Sequence, residues 1–127
     1  MNENVWTAAS DGDIEEIERY VASGGDIDAQ DEHAYTPLQA AVSYNHAELA
    51  LILLKHGSSP TLADNDLDTP LHRCETVECA KILLQHGATL NAKNRDGKTP
   101  YDVAIEEGHR ELMTYYNSLE AESSTKL

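Results

Sequence analysis

DTPLHRCETVECAKILLQHG, Asp68 to Gly87, opens with Thr-Pro-Leu-His and closes with an apolar run and a glycine, and both ends recur elsewhere in the chain. YTPLQAAVSYNHAELALILLKHG starts at Tyr35, which sets Thr36 and Thr69 33 residues apart, and KTPYDVAIEEGHRELMTYY starts at Lys98. An earlier copy, NVWTAASDGDIEEIERYVASGGD from Asn4, lacks Thr-Pro but keeps Ala8-Ala9, Gly12 and the apolar stretch that follows. Self-similarity at such a period marks a repeat array of four units.

The local chemistry of each unit is that of a helix pair. Thr36, Thr69 and Thr99 have side-chain oxygens suited to capping a helix, and Pro37, Pro70 and Pro100 follow at the first helical position, where a missing N–H is harmless. A second helix shows in the spacing of Ile14, Ile17 and Val21, of Leu49, Ile52 and Leu53, and of Val77, Ile82 and Leu83. Asp13 is placed to cap the first of these, with Glu16 three residues on as in a capping box. Gly24, Gly57 and Gly87 suit the left-handed position past a helix end. Ala8, Ala9, Ala40, Ala41 and Ala104 are small enough to let paired helices approach closely. No unit can bury its apolar face alone, so the units must stack.

In these features each unit resembles the ankyrin repeat: a turn, T-P-L-H-x-A, a short helix, a reversal near Gly-His and a second helix. The resemblance implies an all-α solenoid of four helix-turn-helix units with finger loops between them. The units are expected at about 1–30, 31–63, 64–93 and 94–119, with a frayed tail over 120–127. The layout also resembles small fungal ankyrin-repeat proteins with a shortened third unit. Binding of a protein partner along the concave face of the first helices and the turn tips is what the family implies.

The third unit is short by three residues. Thr36 to Glu48 and Thr99 to Glu111 each span twelve positions, whereas Thr69 to Glu78 spans nine. The gap falls where the other units have Ser-Tyr-Asn or Glu-Glu-Gly. First helix three is therefore expected to shrink to little more than a turn, leaving a notch halfway along the groove and a place for local opening. A tolerated surface deletion predicts the same fold. Polar end caps are expected from Glu15, Glu16, Glu18 and Arg19 on one side, and from Arg110, Glu111, Thr114, Asn117, Tyr115 and Tyr116 on the other.

The turn tips depart from the family pattern. Only the fourth keeps Asp-Gly before Thr, as Asp96-Gly97; Ala34 and Leu67 hold the glycine position in the second and third. A positive φ is costly for a residue with a β carbon, so different turns are expected there. Tyr35 and Leu67 then become exposed apolar anchors beside Glu32, His33, Asp66 and Asp68. With Ser43 and Tyr44 on the groove side, and Arg73, Arg95 and Glu106 along it, these are the candidate partner contacts.

The net charge is −14, and fourteen of the acids but only two bases, Arg19 and Lys55, lie between Met1 and Asp68. Such a field repels phosphate backbones and anionic headgroups, which disfavours nucleic acid and membrane as partners. It leaves an alternative reading, an escort for a basic client such as a ribosomal protein or histone, held by Asp11, Asp13, Glu15, Glu16, Asp26, Asp28 and Asp31. No stretch approaches the about 18 apolar residues of a membrane span, and the N-terminus lacks the basic start and apolar core of a signal peptide. A monomer in the cytoplasm, the nucleus or both is expected, with Cys74 and Cys79 as reduced thiols.

Chemistry finds little support. His72, Cys74, Cys79 and His86 match no common zinc spacing, and buried structural thiols are the favoured reading. The chain holds no G-x-S-x-G, phosphate loop or H-E-x-x-H, and its acids belong to exposed faces. Neither an enzyme nor a cofactor is implied.

Overall fold

The computed structural model describes residues 4–119 and residue 121. Four helix pairs follow one another: α1 (Val5–Asp11) with α2 (Ile14–Ala22), α3 (Pro37–Ser43) with α4 (Ala47–Lys55), a 3₁₀ turn (Pro70–Arg73) with α5 (Val77–Gln85), and α6 (Pro100–Glu107) with α7 (Arg110–Ser118). The first elements pack side by side, α1 on α3, α3 on the 3₁₀ turn and the turn on α6, while α4, α5 and α7 form the second layer. This is an all-helical solenoid, with no strand among the described residues.

The Thr-Pro starts form as their chemistry dictates. Thr36 Oγ1 accepts from the Gln39 amide at 3.1 Å, and the Gln39 side chain accepts from the Thr36 amide at 3.1 Å. Thr99 and Asp102 repeat this box, and His72 Nδ1 accepts from the Thr69 amide at 3.1 Å. The first unit has no Thr-Pro; Asn4 Oδ1 caps α1 from the Thr7 amide instead. Asp13 caps α2 through the Glu16 amide, but the expected box stays open: the Asp13 amide already donates to the Ala8 carbonyl at 2.9 Å, and the Glu16 carboxylate pairs with Arg19 at 2.8 Å.

The boxes also tie neighbours together. Gln39 Nε2 donates to the Asp68 carbonyl at 2.7 Å, and His72, whose Nδ1 is an acceptor, turns Nε2 toward the Lys98 carbonyl at 2.8 Å. Both bonds run from one unit to the turn that opens the next first element.

The small residues lie where close approach needs them: Ala8, Ala9, Ala40 and Ala41 are fully buried and Ala104 nearly so. Ile17, Leu49, Leu53, Leu83 and Leu112 fill the space between layers. The fourth unit departs from the expected polar cap, because Tyr116 is fully buried, at the place Leu53 and Leu83 hold in the inner units. Its ring meets Tyr101 edge-on with centroids 6.4 Å apart, and its hydroxyl has no hydrogen-bond partner among the described residues. Ala121 falls within the expected frayed tail yet is buried, with its amide donating to the Tyr116 carbonyl at 3.1 Å. The rest of 120–127 lies outside the described residues.

The shortened unit has a simple cause. Elsewhere the first helix ends on a left-handed residue, Gly12 at φ 71°, Asn45 at 64° or Gly108 at 74°. In the third unit that residue and the turn before it are missing; Cys74 is extended at φ −67°, ψ 142°, and leads straight toward Thr76, which caps α5 through the Cys79 amide at 3.2 Å.

Candidate protein-binding groove

The fingers come first, because they set the groove's rim. In each, one carboxylate or amide oxygen holds the turn: Asp31 Oδ1 accepts from the amides of His33 and Tyr35, Asp64 Oδ1 from those of Asp66 and Asp68, and Asn94 Oδ1 from those of Asp96 and Lys98. The three turns are alike, with Ala34 at φ 61°, Leu67 at 62° and Gly97 at 75°. The expectation of different turns at Ala34 and Leu67 is thus corrected. The left-handed backbone persists despite a β carbon, at a cost of about 1–2 kcal/mol each, because the side-chain oxygen captures two amides only in this conformation.

Fingers are also bonded to one another. The Asn65 amide donates to the His33 carbonyl at 3.0 Å and the Arg95 amide to the Asp66 carbonyl at 2.9 Å, while the Arg95 guanidinium reaches the Asn65 carbonyl. Glu32, His33, Asp66, Leu67 and Arg95 are all exposed on this ladder. Leu67 keeps half of its surface in solvent, at 50%.

Tyr35 is not the exposed anchor that its position suggests. It is half-buried against the core, its hydroxyl bonds Ser43 Oγ at 2.7 Å, and the Arg73 guanidinium covers its ring at 5.2 Å from the centroid. Arg73 donates to Asp64 Oδ2 at 2.7 Å and lies 3.4 Å from Asp68 Oδ2. Burial pulls the Arg73 pKa down, but the Asp64 hydrogen bond and the negative charges of Asp64 and Asp68 help outweigh it and hold the guanidinium above its usual value. Carboxylate oxygens of Asp64, Asp66 and Asp68 come within 4.8 Å of one another, and Arg73 answers the charge of two of them.

Where the third unit lacks its turn, a hollow of about 450 Å³ opens. Tyr35, Ser43, Tyr44, Asp68, Arg73 and Glu106 all line it, together with Glu75, Asp96, Lys98 and Glu107. A second hollow of about 310 Å³ lies over the fingers, between Asp31, His33, Tyr35, Asp64, Asp66 and Arg73. Tyr35 and Arg73 form the wall between the two. Leu67, Glu32 and Arg95 lie outside both. Tyr44 stands on the rim with 62% of its surface exposed, and Lys98 pairs with Glu106.

Asp64 and Glu75 were not among the candidates from sequence. Asp64 was readable, since it lies 33 residues after Asp31 and 30 before Asn94, the register of the fingers. Glu75 carries no such signal, because the deletion alone brings it to the hollow.

The acids of the N-terminal half serve local structure. Asp13 caps α2, Asp26 Oδ1 accepts from the Asp28 amide, Asp28 Oδ1 accepts from the Ser59 amide at 3.0 Å, and Asp31 holds its finger. Glu15 and Glu16 pair with Arg19, and Asp11 is exposed at the end of α1. Cys74 and Cys79 are free thiols, both buried, and burial first of all drives their pKa values up. His72 spends both ring nitrogens on Thr69 and Lys98, so it is not turned toward the cysteines, and His86 bonds the Ile82 carbonyl from the surface.

No helix among the described residues is long and apolar enough to cross a membrane. A sequence profile for ankyrin repeats, in three copies, matches residues 5–94. The chain is 43% identical over 117 residues to an ankyrin repeat-containing protein of Schizosaccharomyces pombe, a match covering 91% of this chain and 56% of that protein. It is 31% identical over 116 residues to cyclin-dependent kinase 4 inhibitor B of Rattus norvegicus, covering 88% of each, and 38% identical over 102 residues to ankyrin repeat and SOCS box protein 9 of Mus musculus, covering 78% of this chain and 35% of that protein. The finger turns, the capped helix pairs and these likenesses agree: the chain belongs to the ankyrin-repeat family.

Proposed function

We propose that the chain is a non-catalytic scaffold or adaptor that takes a protein partner along its concave face and finger tips. Ankyrin repeats generally mediate protein–protein interaction. The observation that carries the reading here is the hollow at the shortened unit, rimmed by Tyr44 at 62% exposure and followed along the fingers by Leu67 at 50%. Large apolar side chains standing free beside a recess are the usual anchors of an interface. The rat relative, by its name an inhibitor of a kinase, acts on another protein, which supports the same reading.

The escort reading draws on the net charge of −14. It is the weaker of the two, because most carboxylates it would use are occupied by amides or by Arg19. Capture of a partner from extract, eluted in salt steps, separates them. A groove partner survives high salt and is lost with Tyr44→Ala or Leu67→Ala, whereas an escort client leaves at modest salt and ignores both substitutions.

A further inference from the structure

Resting on the groove reading, we infer that the hollow at the shortened unit is a seat for an arginine side chain of the partner, placed between the Tyr44 ring and the carboxylates of Glu75 and Glu107.

The charge of the hollow argues for a cation. Its lining holds five carboxylates, Asp68, Glu75, Asp96, Glu106 and Glu107, against Arg73 and Lys98. Both bases are already committed, Arg73 to Asp64 and Asp68, and Lys98 to Glu106. Asp96 lies within the field of Lys98, but Glu75 and Glu107 have no ion-pair partner among the described residues, so the recess faces a guest with negative charge still unpaired. A concave site of one sign attracts the opposite charge more strongly than a flat surface does.

The walls argue for arginine in particular. Tyr44 presents an exposed aromatic ring at the mouth and Val103 an apolar side, which together suit a long stem ending in a planar cation. A guanidinium stacks on an aromatic face while forking onto a carboxylate, a combination the ammonium of lysine does not offer. The protein shows this geometry in its own other wall, where Arg73 lies 5.2 Å over the Tyr35 ring and donates to Asp64 at 2.7 Å.

The missing turn is what makes the seat. With a full first helix in the third unit, the space between the ends of α3 and α6 would be filled; its absence brings Glu75 to the hollow, where its carboxylate accepts from the Asn45 side chain at 3.4 Å. Glu75 and His109 also line a neighbouring hollow of about 320 Å³ on their other side.

The test is a selection of short random peptides displayed on phage, with the full chain as target. Enriched peptides are expected to share an arginine, to bind a Glu75→Gln/Glu107→Gln variant about tenfold more weakly, and to lose as much when citrulline replaces that arginine. Both glutamates are exposed and glutamine keeps their size, so unchanged thermal unfolding of the variant will show that the fold is intact. Peptides without a basic residue, peptides indifferent to the double variant, or no enrichment at all overturn the seat. If such indifferent peptides still depend on Tyr44 and Leu67, the groove reading stands without it; if they ignore these as well, both fall.

Discussion

Arg73 and Asp64 form an ion pair at 2.7 Å in which the carboxylate keeps only 3% of its side chain exposed and the guanidinium 33%. The same carboxylate holds the finger through the amides of Asp66 and Asp68, so finger and shortened helix share one anchor.

Arg73→Ala is therefore expected to cost about 1–3 kcal/mol, less than a fully buried pair because the arginine is partly solvated. It leaves a buried carboxylate without its cation and uncovers the Tyr35 ring. Denaturant unfolding measures the loss, and a change below about 0.5 kcal/mol would place the pair among ordinary surface contacts.

Leu67→Gly removes the strain of a left-handed leucine at φ 62°. Part of the gain is lost to the greater freedom of glycine in the unfolded chain, so the variant should be about 0.5–1 kcal/mol more stable. A stabilised variant that binds a groove partner less well is the expected combination; a destabilised one refutes the strain.

Tyr116→Phe deletes a buried hydroxyl that has no partner among the described residues. The ring and its edge-on contact with Tyr101 remain, so stability should rise by about 1–2 kcal/mol. Burial also pushes this phenol well above its ordinary pKa, with smaller contributions from Cys74 and Tyr115. Loss of stability in Tyr116→Phe would reveal a partner for the hydroxyl.

Burial raises the pKa of Cys74 and Cys79 above 9.0, so the folded state keeps both thiols protonated when the unfolded chain has begun to release them. The unfolded state then binds fewer protons, and stability falls as pH rises past about 9, more through Cys74, the more strongly shifted thiol, than through Cys79. Unfolding curves between pH 7 and 10 (about the range in which a thiol titrates) should show this decline in the wild type and less of it in Cys74→Ala. Equal slopes would mean that other groups govern the alkaline limb.

Most of the architecture was legible because its signals are local. Thr-Pro at 36, 69 and 99 marks helix starts whatever surrounds them, and the nine-residue spacing from Thr69 to Glu78 already contains the clipped helix. What escaped depends on contacts across the fold. The turn at Leu67 is decided by a carboxylate three residues away, which overrides the preference of leucine's backbone. Tyr35 and Tyr116 look alike as surface aromatics, yet one is pinned under Arg73 and the other fills a leucine's place. Among the proposed contacts, Tyr44, Ser43, Asp68, Arg73 and Glu106 meet at one hollow, whereas Glu75 enters only through an absence of residues, which no motif records.

The bonds from Gln39 to the Asp68 carbonyl and from His72 to the Lys98 carbonyl have a direction. Each residue accepts a proton bond within its own cap and donates another forward, so the order in one helix start is handed to the next turn along the array. Coupling between neighbours in this solenoid thus has a polar component beside the apolar stacking, shared equally by the two units each bond joins. At the corresponding place in the fourth unit stands Asp102, whose carboxylate accepts from the Thr99 amide at 2.9 Å and closes its own cap. In the second and third units the side chain that closes a helix start also fastens the turn that follows it, so one residue serves two neighbouring units at once.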